Sequence, residues 1–353
     1  MKIDRRNNFD SLRVFAALLV IYGHAFALSG ERSPGLLGNS VQTLGVKIFF
    51  AMSGFLIATS WLNQPRFKSF LWRRSLRIFP ALWVVVILTA CVLGPLISTL
   101  DTASYFFNRT FLVYLLNAVL LVSYGLPGVF EQNRYPSAVN GSLWSLPAEF
   151  AMYLLTPVLT WMDRLHGWVL GGVAIASSVV GAWAMTTPHA SPPVIWGTNL
   201  LSLAEVAPYF LVGAWLASPR RVRHPDLQVA FAGLACILLI QFPVALQQIG
   251  LAFCLPYAVL ALALSPGPVF SRGARFGDLS YGLYLYGFPI QQVVSLIIGP
   301  AVQTWQIVAY ALPPTLLLAW ASWHLLEKRA LALKSWRNTA TVHPPRIETE
   351  TTT

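Results

Sequence analysis

The chain has 353 residues, 56% of them hydrophobic and only 10% charged, with a mean hydropathy of +0.61. Soluble globular proteins carry roughly 25% charged residues, so this composition excludes a water-soluble domain and predicts an all-α, polytopic membrane protein. The formal net charge of +11 does not mark a nucleic-acid binder, because the basic residues fall in short clusters between apolar runs, as in cytoplasmic membrane loops.

In chain order, the N-terminal MKIDRRNNFDSLR is basic, but no small-residue cleavage site follows the apolar run behind it, which predicts an uncleaved first span. A spanning helix needs about 20 mostly apolar residues. That length predicts ten spans, near 10–29, 42–62, 78–99, 143–163, 167–187, 200–218, 227–244, 247–265, 277–298 and 304–326. An eleventh apolar stretch, 105–126, contains Arg109 and Asn117 and is expected to lie in or along the outer leaflet. Residues 1–335 form the membrane domain, and 336–353 a short polar tail expected to be disordered.

Ionisable groups inside a membrane are costly and usually functional. The first span carries Asp10, Arg13 and His24. Arg13 and His24 are eleven positions apart, about 20° past three full turns, so they share a helix face about 16 Å apart along the axis. Asp10 is too far from His24 to be its partner on the same helix, and is expected to pair with basic loops. The second span holds Ser53 in FFAMSGFLI, where Ser-Gly suits close helix packing as well as chemistry.

Before the third span, FLWRRSLRIFPALW puts Arg74 and Arg77 three positions apart on one helix surface. Paired guanidiniums suit phosphates through charge and forked hydrogen bonds, although topology alone also places basic residues there. Arg73 points elsewhere on the helix. Glu149 opens the fourth span and is expected in the outer half with His24, whose imidazole it would orient. Glu205, near the outer end of the sixth span, is a possible second carboxylate. Cys91, Cys236 and Cys254 are isolated, and no His/Cys cluster suggests a metal.

With ten spans and both termini inside, 20 of the 24 basic residues fall on the cytoplasmic side, leaving Arg32, Lys47, Arg109 and Arg134 outside. No two-halves repeat of the transporter kind is visible in the sequence.

Together these pieces resemble the acyltransferase-3 family of integral membrane acyltransferases over nearly the whole chain. FDSLRVFAALLVIYGH is similar to the family's opening helix, FFAMSGFLI to the second-span signature, and RRSLRIFPALW to its Arg-x-x-Arg segment. WSLPAEFAMYLLTPVL, FGDLSYGLYLYGFPI and SWHLLEKRAL follow in family order. Two positions depart from the pattern. Gly287 stands where members often have a histidine, and Arg329 replaces the usual proline after Glu-Lys.

The resemblance implies acyl transfer from cytosolic acyl-CoA, usually acetyl-CoA, with no permanently bound cofactor. The acceptor would be a hydroxyl of a glycan, a lipid-linked sugar or a small molecule met at the outer face of the plasma membrane. In that scheme Arg13, Arg74 and Arg77 hold the CoA phosphates at the inner surface, and the pantetheine arm threads to His24. His24 acts as general base or acyl carrier, with Glu149 as its orienting carboxylate. The alternative is a transporter or flippase for a lipid-linked sugar or small amphiphile, with His24 as proton relay.

Overall fold

A computed structural model describes residues 7–187, 193–218, 221, 225–240, 242–265 and 277–334. Nine members of the basic count (Lys2, Arg5, Arg6, Arg220, Arg223, Arg272, Arg275, Arg337 and Arg346), and the 336–353 tail, lie outside the described residues.

Helix α1 (Phe9–Ser29) ends on Gly30 in the left-handed region. A two-residue hairpin, β1 (Gly35–Leu36) paired with β2 (Asn39–Ser40), leads into α2 (Val41–Asn63). Its turn residues, Leu37 and Gly38, have φ of 54° and 70°, the primed-turn geometry that matches strand twist. Helix α3 (Phe67–Leu88) starts well before the predicted third span, so Arg73, Arg74 and Arg77 lie inside a helix and not in a juxtamembrane loop. The polar residues masked this start, because hydropathy lowers the score of a turn that carries three arginines whether or not it is helical.

Beyond α3 come a π-helical turn (Thr89–Leu93) and α4 (Gly94–Ile97). The stretch 105–126 does not form one continuous helix. It breaks into α5 (Thr102–Phe106), α6 (Arg109–Leu115) and a 3₁₀ turn (Leu116–Val119). Asp101 and Asn108 cap the two short helices with their side-chain oxygens. The buried hydroxyl of Tyr105 donates to the Ala90 carbonyl at 2.7 Å, and that of Tyr114 bonds Thr89 Oγ1 at 2.9 Å. These bonds pin the segment onto the π turn.

A 3₁₀ turn (Gly141–Trp144) opens α7 (Ser145–His166), which is followed by α8 (Val169–Thr186). A second hairpin, β3 (Val194–Ile195) with β4 (Thr198–Asn199), leads into α9 (Leu200–Leu216). The bundle is completed by α10 (Leu227–Leu239), α11 (Val244–Leu264), α12 (Ser280–Ile298) and α13 (Thr304–Ser322). A π turn (Trp323–Glu327) then joins α13 to α14 (Lys328–Ala332).

All ten predicted spans hold a helix, but among the described residues only five stretches are both long and apolar enough to cross alone: Phe9–Ser29, Val41–Asn63, Phe67–Ile97, Val244–Leu264 and Ser280–Ile298. The fourth and fifth predicted spans form a pair bent by 119°, which adds a sixth crossing if it is one broken span. Helices α9 and α10 are shorter, at 17 and 13 residues.

The fold also holds an internal repeat that the sequence does not display. A helix, a primed-turn hairpin and a second helix occur twice, as α1–β1–β2–α2 and α8–β3–β4–α9, with Trp196 and Gly197 repeating the positive φ of Leu37 and Gly38. The contacts between α2 and α9 are reciprocal. Gly54 lies against the Phe210 backbone and Gly213 against that of Ala51. Each glycine stands fourteen positions after its helix's N-cap residue, Ser40 or Asn199. Small residues that let backbones approach are a main source of helix association in lipid.

Lys47 and Glu205 meet in this α2–α9 seam, 3.3 Å apart. Lys47 Nζ also donates to Asn39 Oδ1 at 2.5 Å and to Gln248 Oε1 at 3.1 Å, and lies over the Tyr209 ring. The lysine is 1% exposed, so it is a fully paired buried cation.

Two measurements check this arrangement. A cysteine replacing exposed Gln132 should react with a membrane-impermeant maleimide in intact cells, and one replacing His166 only after permeabilisation; labelling of both from outside would place the α7–α8 bend on the outer face. Gly54→Ala should destabilise the solubilised protein by about 1–3 kcal/mol through overpacking, seen as a lower unfolding temperature. Gly35→Ala, which meets open space, should leave that temperature unchanged.

Candidate active site

The site begins with charge. α1, α2, α3, the first turns of α7 and α12, and the segment after α13 surround a cavity of about 360 Å³. Arg13 of α1 and Arg77 of α3 converge on Asp278, which precedes α12. Arg13 Nη1 lies 3.3 Å from Asp278 Oδ2, and Arg77 Nη2 lies 2.5 Å from it. Arg13 also reaches Asp10, 3.2 Å away and one turn back on α1, so that carboxylate pairs within its own helix and not with a loop.

Burial would raise the Asp278 carboxyl, but Arg77 and Arg13 beside it hold it well below the usual carboxylate range. Its other oxygen accepts from the Ser280 hydroxyl at 2.5 Å. Arg77 Nη1 also faces Glu327 at 3.7 Å, and the Ser322 hydroxyl donates to Glu327 at 3.0 Å. The extra residue of the π turn brings Glu327 to that position, and such insertions are frequent at functional sites.

A second polar group lies on the cavity wall. Glu149 of α7 accepts from the Ser53 hydroxyl of α2 at 3.1 Å and from the hydroxyl of Tyr153, one turn further along α7. Glu149 therefore sits with the arginines and not with His24 in the outer half. Two observations explain this. α7 starts deep in the bundle, with Ser145 Oγ 2.5 Å from the Tyr284 hydroxyl on the second turn of α12. Along α2, Gly45 packs on Ala16 and Val20 while Phe55 stacks on Phe9, so Ser53 falls at the level of the first turns of α1.

His24 lies elsewhere. Its half-buried imidazole meets the Phe288 ring edge-on, with centroids 5.1 Å apart. Phe288 is held in turn by Tyr135 and lies over Gly141. Tyr284 is on the cavity wall, and Phe288 is one helical turn beyond it, about 6 Å along the axis. The Tyr284 hydroxyl donates to the Ser142 carbonyl at 2.7 Å, and Asn140 Nδ2 to that of Leu285 at 2.9 Å. These bonds fix the loop 120–144 against α12 between cavity and histidine.

The structure thus brings together Asp10, Arg13, Ser53, Arg74, Arg77 and Glu149 on one cavity. It leaves His24 about 16 Å up α1 from Arg13, and it withdraws Glu205, which is paired with Lys47. Arg73, expected to face away, lines the cavity as well, with its guanidinium bonded to Gln64 and Ser69. The sequence reading missed Tyr153, Asp278, Glu327 and Lys334 as members of this neighbourhood. Asp278 and Glu327 stood within the quoted motifs FGDLSYGLY and HLLEKR, but only the fold shows what they pair with.

The comparisons with known proteins agree with one another. The family described as "Acyltransferase domain" matches residues 6–324. The O-acetyl transferase of Shigella phage Sf6 is 29% identical over 341 residues, covering 94% of this chain and 98% of its own. Nodulation protein 10 of Rhizobium leguminosarum bv. viciae is 31% identical, covering 94% of each chain. The peptidoglycan O-acetyltransferase OatA of Listeria monocytogenes is 28% identical over 80% of this chain and 49% of that protein. No solved structure matches. With the family match extending over nearly the whole chain, this protein belongs to the acyltransferase-3 family and is a multi-pass membrane acyltransferase.

Proposed function

We propose that the protein transfers an acetyl group from cytosolic acetyl-CoA to a hydroxyl of a glycan at the outer side of the plasma membrane. The observation that carries this reading is the layout along α1, with an arginine-lined cavity at one end and a lone half-buried histidine about 16 Å away at the other. The relatives named O-acetyl transferase and peptidoglycan O-acetyltransferase support the acetyl group and the hydroxyl acceptor.

In this mechanism the cavity's cations hold the donor's phosphates, and the pantetheine arm passes Tyr284 and Phe49 toward Phe288. His24 takes the proton of the acceptor hydroxyl, and the oxygen attacks the thioester carbonyl. Collapse of the tetrahedral adduct expels the CoA thiolate, which takes the proton back from the imidazolium. In the carrier variant the imidazole nitrogen attacks the thioester carbonyl and expels the CoA thiolate; the acceptor oxygen then attacks the acyl-imidazole, the C–N bond breaks, and the hydroxyl proton leaves with the thiolate as free CoA. Glu149 bonds Ser53 and Tyr153 on the cavity wall, which supports a place beside the donor and not beside His24. Its proposed role moves to the donor cavity.

His24→Ala in the full-length protein should reduce acetyl transfer by at least 10³-fold, within the range of one general acid–base group plus lost positioning, while CoA affinity stays within twofold. Transfer measured with radiolabelled acetyl-CoA, beside CoA binding in the same detergent, checks both. Substantial remaining turnover would remove His24 from the mechanism, and loss of CoA binding would show that donor and histidine sites are one.

A further inference from the structure

The cavity holds more positive charge than its carboxylates can neutralise. Arg13, Arg73, Arg74, Arg77 and Lys334 line it against Asp10, Glu149 and Asp278. The pairing is uneven. Arg77 is engaged by Asp278 and Glu327, and Arg13 by Asp10 and Asp278. Among the described residues, Arg73, Arg74 and Lys334 have no ion pair at all. Arg73 Nε and Nη2 and Arg74 Nε are buried donors without a hydrogen-bond partner. Buried donors are normally satisfied, and an orphaned one calls for a specific explanation. Here the orphans belong to guanidiniums on a cavity wall, where an anionic ligand would satisfy them.

Resting on the donor reading above, we infer that Arg73, Arg74 and Lys334 form the polyanion-binding set of this cavity, whereas Arg77 with Asp278 and Glu327 is a closed latch that positions it. Two of these residues, Arg73 and Lys334, were not expected to touch the donor.

The latch joins four elements. Asp278 ties α1 and α3 to the start of α12, and Glu327 ties α3 to the end of α13. A guanidinium with two carboxylate partners has little charge left for a ligand, and breaking such a buried set is strongly destabilising. Lys334 follows α14, which packs against α3, and lines the same cavity as Arg74. Burial, then repulsion from Arg74, Arg77, Arg73 and Arg13, pushes its ammonium down to about 8. Asp10, Asp278 and Glu149 are the carboxylates that share the space. A bound phosphate would relieve the repulsion, so the cation is available to a polyanion at neutral pH and fades as pH rises through 8.

The test uses full-length protein in detergent with coenzyme A itself as probe. Arg73→Gln and Lys334→Gln should each weaken CoA binding about tenfold, the loss of one charge-assisted bond to phosphate, with the unfolding temperature unchanged. The wild type should lose CoA affinity between pH 7 and pH 9, and Lys334→Arg should bind like the wild type at pH 7 and abolish that fall. Arg77→Lys should lower the unfolding temperature while its folded fraction binds CoA within threefold of wild type. If the wild type binds CoA and the two Gln variants bind it equally well, this assignment is overturned and the donor reading stands. If Arg77→Lys loses CoA binding at unchanged stability, Arg77 is a ligand-binding residue and the latch is overturned. If the wild type binds no CoA, the donor reading falls, and this assignment falls with it.

Discussion

Asp278 is the anion around which the cavity end of the molecule is organised. It is nearly buried, yet it stands against two arginines from different helices and a serine hydroxyl of its own turn. An isolated charge in such a place costs several kcal/mol, and removing one member of a buried pair strands the other. The three groups are therefore mutually required. Their geometry sets how α1, α3 and α12 meet, and the π turn adds Glu327 to the same knot. The cavity is the space these ionic contacts hold open.

That constraint separates two tasks along α1. Near its N-terminus the helix contributes Arg13 to a charged, water-compatible pocket, and near its C-terminus it offers His24 against an aromatic edge. The proposed reaction needs this separation, because a polyanionic donor and a glycan acceptor approach from opposite sides of a barrier that neither crosses. The unusually deep start of α7 keeps the interval short, since the 3₁₀ turn Gly141–Trp144 reaches down to Tyr284. Only one turn of α12 then lies between the cavity wall and the histidine's neighbour.

Away from the site, the α2–α9 seam supplies the rigid part of the bundle. Its reciprocal glycines allow backbone contact, and Lys47 is locked by Glu205, Asn39 and Gln248. Asn39 and Gln248 are themselves buried and Glu205 is partly so, and this network lies apart from the arginine cavity. Ser53 links the two regions, since it belongs to α2 beside Gly54 and donates to Glu149.

Composition and spacing determined by themselves that this is a helical membrane protein, the rough position of its longer helices, and that Arg13 and His24 share a face. Those properties follow from local rules: lipid demands about 20 apolar residues per crossing, and the helical repeat fixes angles and rises. The order of six motifs was equally legible, because it is a property of the chain. What only the tertiary structure decided is which charges meet. Glu149 looked like a partner for His24 because the start of its helix was expected at the outer face, level with the histidine, but a helix need not start at the membrane surface. Glu205 looked available and is spent on Lys47; Arg73 looked turned away and lines the cavity. Asp278 and Glu327, far from Arg77 in sequence, neutralise it in space. Charge pairing in a membrane is a long-range contact between helices whose depth and tilt are set by packing, and no window along the chain contains that information.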